Sequence, residues 1–197
     1  MSKTIYVNAR FLTQPITGVQ RFAIELCEEL IKQDFDIKLL SPKNILHTSL
    51  SQKFNNTQIG KLDGHLWEQI ELPKYLKTIE SPVLLNLCNT SPLFYSNSVV
   101  TLHDLAFIKH PEWFSFAFKT FYNFLIPKTI RKAKMILTVS NTVKLDIQKY
   151  FFQESKNIHV VYNGLPLIFQ NSNRSEIQKI DRPYFLAIGG KNPRKNL

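Results

Sequence analysis

The chain has 197 residues, enough for one large domain or for a domain and part of another. Apolar residues make up 44%, ordinary for a protein with a packed core, and no apolar run approaches the ~20 residues of a membrane span. A net charge of +10 points to an anionic partner, whether a nucleotide, a phospholipid surface or nucleic acid.

The opening "MSKTIYVNAR" lacks the apolar stretch of a secretory signal, so a cytoplasmic location is expected. Within it, "TIYVNA" (residues 4–9) reads as a first strand. A turn with Pro15 and Gly18 leads into a helix, because Val19, Phe22, Ala23, Leu26 and Leu30 recur at helical spacing. "DIKLLS" (36–41) is a second strand, while residues 42–56 are polar and show no clear period. "TQIGK" reads as a short strand, and a helix over 66–78 is expected to be interrupted or ended near Pro73. "PVLLNL" (82–87) and "SVVTL" (98–102) are compact apolar strands. A long aromatic helix follows over about 112–134, with a kink predicted at Pro127. "MILTVS" (135–140) is another strand, Ser140 sits where an N-cap belongs before a helix reaching about Phe151, and "NIHVVYNG" closes the series. Cys27 and Cys88 have no CxxC partners and read as plain core thiols.

Strands that alternate with helices and are apolar throughout predict a parallel sheet covered on both faces. The expected fold is therefore α/β, a Rossmann-like doubly wound sheet over residues 1–165. Residues 166–183 read as a linker. The last stretch, 184–197 ("YFLAIGGKNPRKNL"), reads as the first strand and phosphate loop of a second domain whose following helix is absent.

In such a sheet, ligands gather beyond the carboxyl ends of the strands. Gly18 lies there, right before a helix; it either lets a phosphate approach the backbone or merely closes a tight turn. His103 and Asp104 follow the 98–102 strand. An imidazole there can orient a hydroxyl or accept its proton with the carboxylate biasing its tautomer, or it can simply bond within the sheet rim. His103 and His110 without a third ligand make a poor zinc site, so no metal is expected. "WFSFAFKTFYNF" packs seven aromatics into twelve residues from Trp113 to Phe124. On a helix, Phe114, Phe118 and Tyr122 form one stripe, and Ser115, Lys119 and Asn123 a narrow polar one. Lys128, Arg131 and Lys132 follow. This array either packs against the sheet and a neighbouring domain, or meets an anionic lipid surface or a lipid-linked acceptor.

"TGVQRFAIELCEEL", "TLHDLAFIKHPEWF", "IRKAKMILTVSNTVKLDI", "VVYNGL" and "FLAIGGKNPRKNL" occur in one order along nearly the whole chain. In these stretches the chain resembles the N-terminal half of glycosyltransferase family 4, whose members have the two-domain GT-B fold. The resemblance implies transfer of a sugar from a nucleotide sugar to a glycan or lipid-linked acceptor, with retention and without a metal or other cofactor. It implies that Gly18 approaches the donor phosphates and that His103 lies by the transferred sugar and acceptor. It also implies that Lys195, with Arg194 beside it, grips the diphosphate, where cations stabilise a leaving group gaining charge. The family's paired glutamates, seven residues apart, are absent, so the chain is expected to be a piece of a longer enzyme and inactive alone. Three rivals remain: a nucleotide-sugar epimerase of similar fold, a half-protein completed by another chain, and a basic nucleic-acid-binding module. The last finds no supporting motif.

Overall fold

The computed structural model describes residues 4–152, 157–164 and 182–185. Seven strands form one sheet: β1 (Ile5–Asn8), β2 (Ile37–Ser41), β3 (Thr57–Gln58), β4 (Leu84–Asn86), β5 (Ser98–Leu102), β6 (Met135–Thr138) and β7 (Ile158–Val160). Their order is β3-β2-β1-β4-β5-β6-β7, and every neighbouring pair is parallel. This is the Rossmann order with one strand added, so the doubly wound expectation holds. The order reverses between β1 and β4, which are hydrogen-bonded side by side with Asn8 opposite Asn86. A crevice is expected at that point, beyond the strands' carboxyl ends.

Alternation along the strands divides the core. Val7, Leu39 and Leu85 point to one face and pack with Ala23, Ile24 and Cys27 of α1 (Gly18–Lys32). Leu40 and Leu84 point to the other, where Trp67, Leu72, Leu76 and Tyr95 meet them. Val100, Leu102 and Ile136 are covered by Ile126 and Ile130 of α6 (Phe116–Lys132) and by Val143 and Ile147 of α7 (Asn141–Phe151). Ser140 accepts from Val143 N–H at 3.2 Å, capping α7 as expected. Both cysteines are free, and Cys27 lies in the core.

Three local expectations change. The polar stretch 42–56 contains a helix, α2 (Thr48–Lys53), which buries only Ser51 and so leaves no apolar period to read. The expected 66–78 helix starts earlier and is continuous: α3 (Gly64–Leu66), a π-turn (Trp67–Glu71) and α4 (Leu72–Thr78). Leu72 N–H donates to the carbonyl of Trp67, five residues back. Pro73 follows directly; it has no N–H to give and would crowd a normal turn, so the widened turn accommodates it without ending the helix. The turn also swings Trp67 and Glu68 inward, where both are buried. The aromatic helix breaks at its start. A 3₁₀ turn (Pro111–Trp113) comes first, Phe114 is extended, and Ser115 then caps α6 by accepting from Phe118 N–H at 3.3 Å. Pro127 lies inside α6 without ending it.

The short helix α5 (Ala106–Lys109) links β5 to this region. Gly60 makes the close approach that seats the 64–78 helix. Its φ is +76°, and a Cβ there would stand 2.1 Å from Glu71 Oε2. That carboxylate accepts from Lys61 N–H and Leu62 N–H at 2.9 and 2.8 Å. A side chain at position 60 would displace it.

Candidate functional site

The loops after β1, β4 and β5 meet at one end of the sheet. His103 follows β5, and its backbone N–H donates to Asn89 Oδ1 at 2.8 Å. Asn89 adopts φ +66°, which asparagine tolerates, and its own N–H donates to Thr101 O at 3.0 Å. The His103 ring is thereby held with Nε2 2.8 Å from Leu87 O. A carbonyl can only accept, so Nε2 carries the hydrogen and the neutral ring offers Nδ1 as a lone-pair acceptor. Phe22 of α1 meets this ring edge-on at 5.0 Å. Burial lowers the imidazole's pKa against the opposing pull of the Leu87 carbonyl and Asp104, so the ring is neutral at pH 7. Asp104 Oδ1 accepts from Ala106 N–H at 3.0 Å and fixes the start of α5.

A pocket of about 120 Å³ opens here. Leu102 and Asp104, the neighbours of His103, form one wall with Asn89; Val19 forms another; Phe107, Phe114, Phe118, Tyr122 and Ile126 form the rest. The predicted stripe is real and aromatic on aromatic: Phe114 stacks on Phe118 at 5.0 Å, and Phe118 on Tyr122 at 3.9 Å. Burial pushes the Tyr122 phenol up, so it stays a neutral hydroxyl. Gly18, next to Val19, is exposed at the N-terminus of α1 and has no atom within 4 Å of a would-be Cβ. Its φ is not left-handed either. Neither turn geometry nor packing among the described residues demands glycine there.

Beneath the crevice lies a buried polar cluster that sequence reading missed. Glu68, 1% exposed, faces Arg10, 8% exposed, with Nε and Oε1 at 3.5 Å. The same Oε1 accepts from Asn8 Nδ2 at 2.8 Å and Thr90 Oγ1 at 2.9 Å. Asn8 Nδ2 also donates to Asn86 Oδ1 at 3.0 Å, and Arg10 Nη2 to Thr90 Oγ1 at 3.2 Å. Oε2 lies 3.0 Å from His65 Nδ1. Burial alone would raise the Glu68 carboxyl, but Arg10, then His65 and Thr90, outweigh it and hold the value at about 2. The cluster joins the ends of β1 and β4 at the point where strand order reverses. The one signal available was a set of polar residues, Asn8, Arg10 and Glu68, inside apolar runs ("YVNARFL", "HLWEQI").

The other predicted residues lie elsewhere. Trp113 is half-buried and stacks on His110 at 4.0 Å. Lys128, Arg131 and Lys132 are exposed near the end of α6, outside the pocket lining. Lys128 Nζ sits 3.2 Å from the centre of the Phe124 ring, and Lys132 Nζ 5.1 Å from that of Phe94. Arg194 and Lys195 lie outside the described residues, as do most of the expected linker and most of the expected second-domain strand. Among the described residues no group of three or more His, Cys, Asp or Glu could hold a metal ion, and no helix is long and apolar enough to cross a membrane.

The all-parallel strand order and its reversal between β1 and β4 define a Rossmann-like α/β domain. Residues 16–168 match the profile of Glycosyltransferase Family 4, and the chain belongs to that family. It is 37% identical over 111 residues to the O-antigen chain mannosyltransferase RfbU of Salmonella typhimurium (strain LT2), an overlap of 55% of this chain and 29% of that protein. The chain thus matches less than a third of that relative's length. In fold it is similar to Anabaena Alr3699/HepE, solved in complex with UDP, with TM-score 0.59 and 14% identity, covering 88% of this chain and 47% of that one.

Proposed function

We propose that this chain is the acceptor-side domain of a retaining sugar transferase that draws on a nucleotide sugar and extends a surface polysaccharide or related glycoconjugate. Family membership supports glycosyl transfer, and the mannosyltransferase relative supports a hexose, first of all mannose, moved onto a glycan. The observation that carries the reading is the tautomer of His103. A neutral ring with Nε2–H on Leu87 O keeps Nδ1 as a lone-pair acceptor, and the residues on either side of His103 in sequence line the pocket. Gly18 admits the donor phosphates to the free N–H groups of α1, and Arg194 with Lys195 begins the cationic grip on the diphosphate. The donor is the co-substrate; no metal or further cofactor enters.

The full-length protein should transfer sugar from a nucleoside-diphosphate mannose or another nucleoside-diphosphate hexose to a polysaccharide-derived acceptor. There, His103→Ala should lower turnover about 10²-fold or more while leaving donor affinity unchanged. Wild-type turnover in that variant would remove His103 from the site. Absence of transfer from every nucleotide sugar would sink the transferase reading, and conversion of the donor with no acceptor present would point to an epimerase instead.

The acceptor's membrane is met along α6. Phe94, Phe116 and Phe124 are exposed by 72%, 81% and 56%, and Lys128 and Lys132 lie over two of them. Aromatic rings beside cations suit an anionic lipid surface. The protein should float with vesicles containing anionic lipid and not with neutral ones, and Phe116→Ser with Phe124→Ser should reduce that flotation. Equal flotation with both vesicle types, or none, would end this assignment.

A further inference from the structure

The buried cluster ends in one group that is not buried. His65 Nδ1 lies 3.0 Å from Glu68 Oε2, and its side chain is 32% exposed against 1% for the carboxylate. An ionised carboxylate only accepts, so Nδ1 carries the hydrogen, and in the neutral ring Nε2 then holds a lone pair. Nε2 lies on the part of the ring turned away from the buried carboxylate. It has no hydrogen-bond partner among the described residues. The ring tilts on Phe121 at 4.6 Å and meets Tyr122 edge-on at 6.3 Å; Tyr122 is part of the pocket wall. A lone-pair nitrogen beside aromatic faces is suited to a sugar. The rings take its C–H face and the nitrogen takes a hydroxyl hydrogen.

We propose that His65, oriented by Glu68, is a second hydroxyl-binding group of the acceptor site, accepting from the acceptor sugar at Nε2 beside Phe121 and the pocket-lining Tyr122. The proposal rests on the transferase reading above, with the acceptor in this crevice. Arg10, Asn8 and Thr90 serve it indirectly, by keeping Glu68 ionised and fixed so that one tautomer of His65 prevails.

Two side chains separate this role from a purely structural one. Glutamine can place an oxygen where Nε2 stands but cannot reproduce the Nδ1 bond. Asparagine can reproduce the Nδ1 donor to Glu68 but offers nothing at Nε2. In the full-length protein, with a polysaccharide-derived oligosaccharide as acceptor, His65→Gln should raise acceptor KM about threefold, and His65→Asn and His65→Ala tenfold or more, a loss of about 1.4 kcal/mol. Donor KM should not move in any of them. An asparagine variant at or below the glutamine variant, or an unchanged acceptor KM in all three, overturns the proposal while transfer itself persists. Loss of transfer in wild type would instead count against the function. Independently of any variant, ¹⁵N spectra of the wild-type imidazole should show Nδ1 protonated and Nε2 bare, and the opposite tautomer also overturns it.

Discussion

Glu68→Ala should lower the unfolding free energy by about 3–5 kcal/mol, measured by urea denaturation at pH 7. The reason is what it leaves behind. Arg10 is 8% exposed and cannot lose its proton, so without Glu68 a guanidinium stays buried with Thr90 and no counter-charge. Asn8 and Thr90 lose their common acceptor as well. Replacing both ends, Arg10→Met with Glu68→Leu, should recover much of the loss, because an apolar pair of similar volume has no desolvation cost to offset. A single-variant loss below about 1 kcal/mol would show that water reaches the cluster and that the pair is not buried as described.

The same carboxylate makes acid sensitivity predictable. Its folded pKa, about 2, lies below the ordinary 4.5. A depressed carboxyl stabilises the fold fully above the unfolded value and loses that contribution as pH falls from 4.5 towards 2. The gap corresponds to about 3 kcal/mol. Wild type should therefore weaken steeply through that window, and Glu68→Gln, already weaker at pH 7, should show a flatter profile there. Parallel profiles would mean that other carboxyls govern acid unfolding.

The frame of the domain was legible because its causes are local. Apolar runs such as "SVVTL" and "MILTVS" sit on buried strands, and Ser140 caps where a serine before a helical period should. His103 and Asp104 could be placed because they directly follow a recognisable strand. The elements misread have non-local causes. Pro73 read as an interruption or an end of the helix, and the choice of a widened turn that absorbs it becomes visible only once Trp67 and Glu68 have buried partners. Ser115 read as part of a polar stripe, although its side chain is the cap that starts α6. The Arg10–Glu68 pair spans residues far apart in sequence, and nothing about either neighbourhood names the other. Buried charge pairs have no period. His65 was invisible for the same reason, because its role depends on a carboxylate that sequence alone leaves on a helix surface.

Trp67→Ala should be as damaging as the loss of Glu68, at about 3–5 kcal/mol, and for a different cause. Trp67 is fully buried among Leu40, Leu72, Leu76, Leu84 and Tyr95, on the sheet face opposite α1. Truncation would open a cavity in a layer bounded by the sheet on one side, where backbone hydrogen bonds resist collapse. Its indole N–H also donates to Ile59 O at 2.9 Å, tying the π-turn to the loop after β3. Trp67→Phe keeps the six-membered ring and loses that bond together with the smaller volume of the pyrrole ring, so it should cost about 1–3 kcal/mol. For a chain of this size the alanine variant should melt roughly 10 °C or more below wild type, at about 2–4 °C per kcal/mol. The consequence reaches the crevice, because Glu68 is the next residue and His65 lies two residues before. A loosened π-turn moves both, so Trp67→Ala should raise acceptor KM even at temperatures where it remains folded, with donor KM unchanged. If the phenylalanine variant proved as unstable as the alanine one, the hydrogen bond to Ile59 rather than cavity filling would be the stronger anchor. If neither lost stability, the π-turn would be held by Glu68 and Glu71 alone.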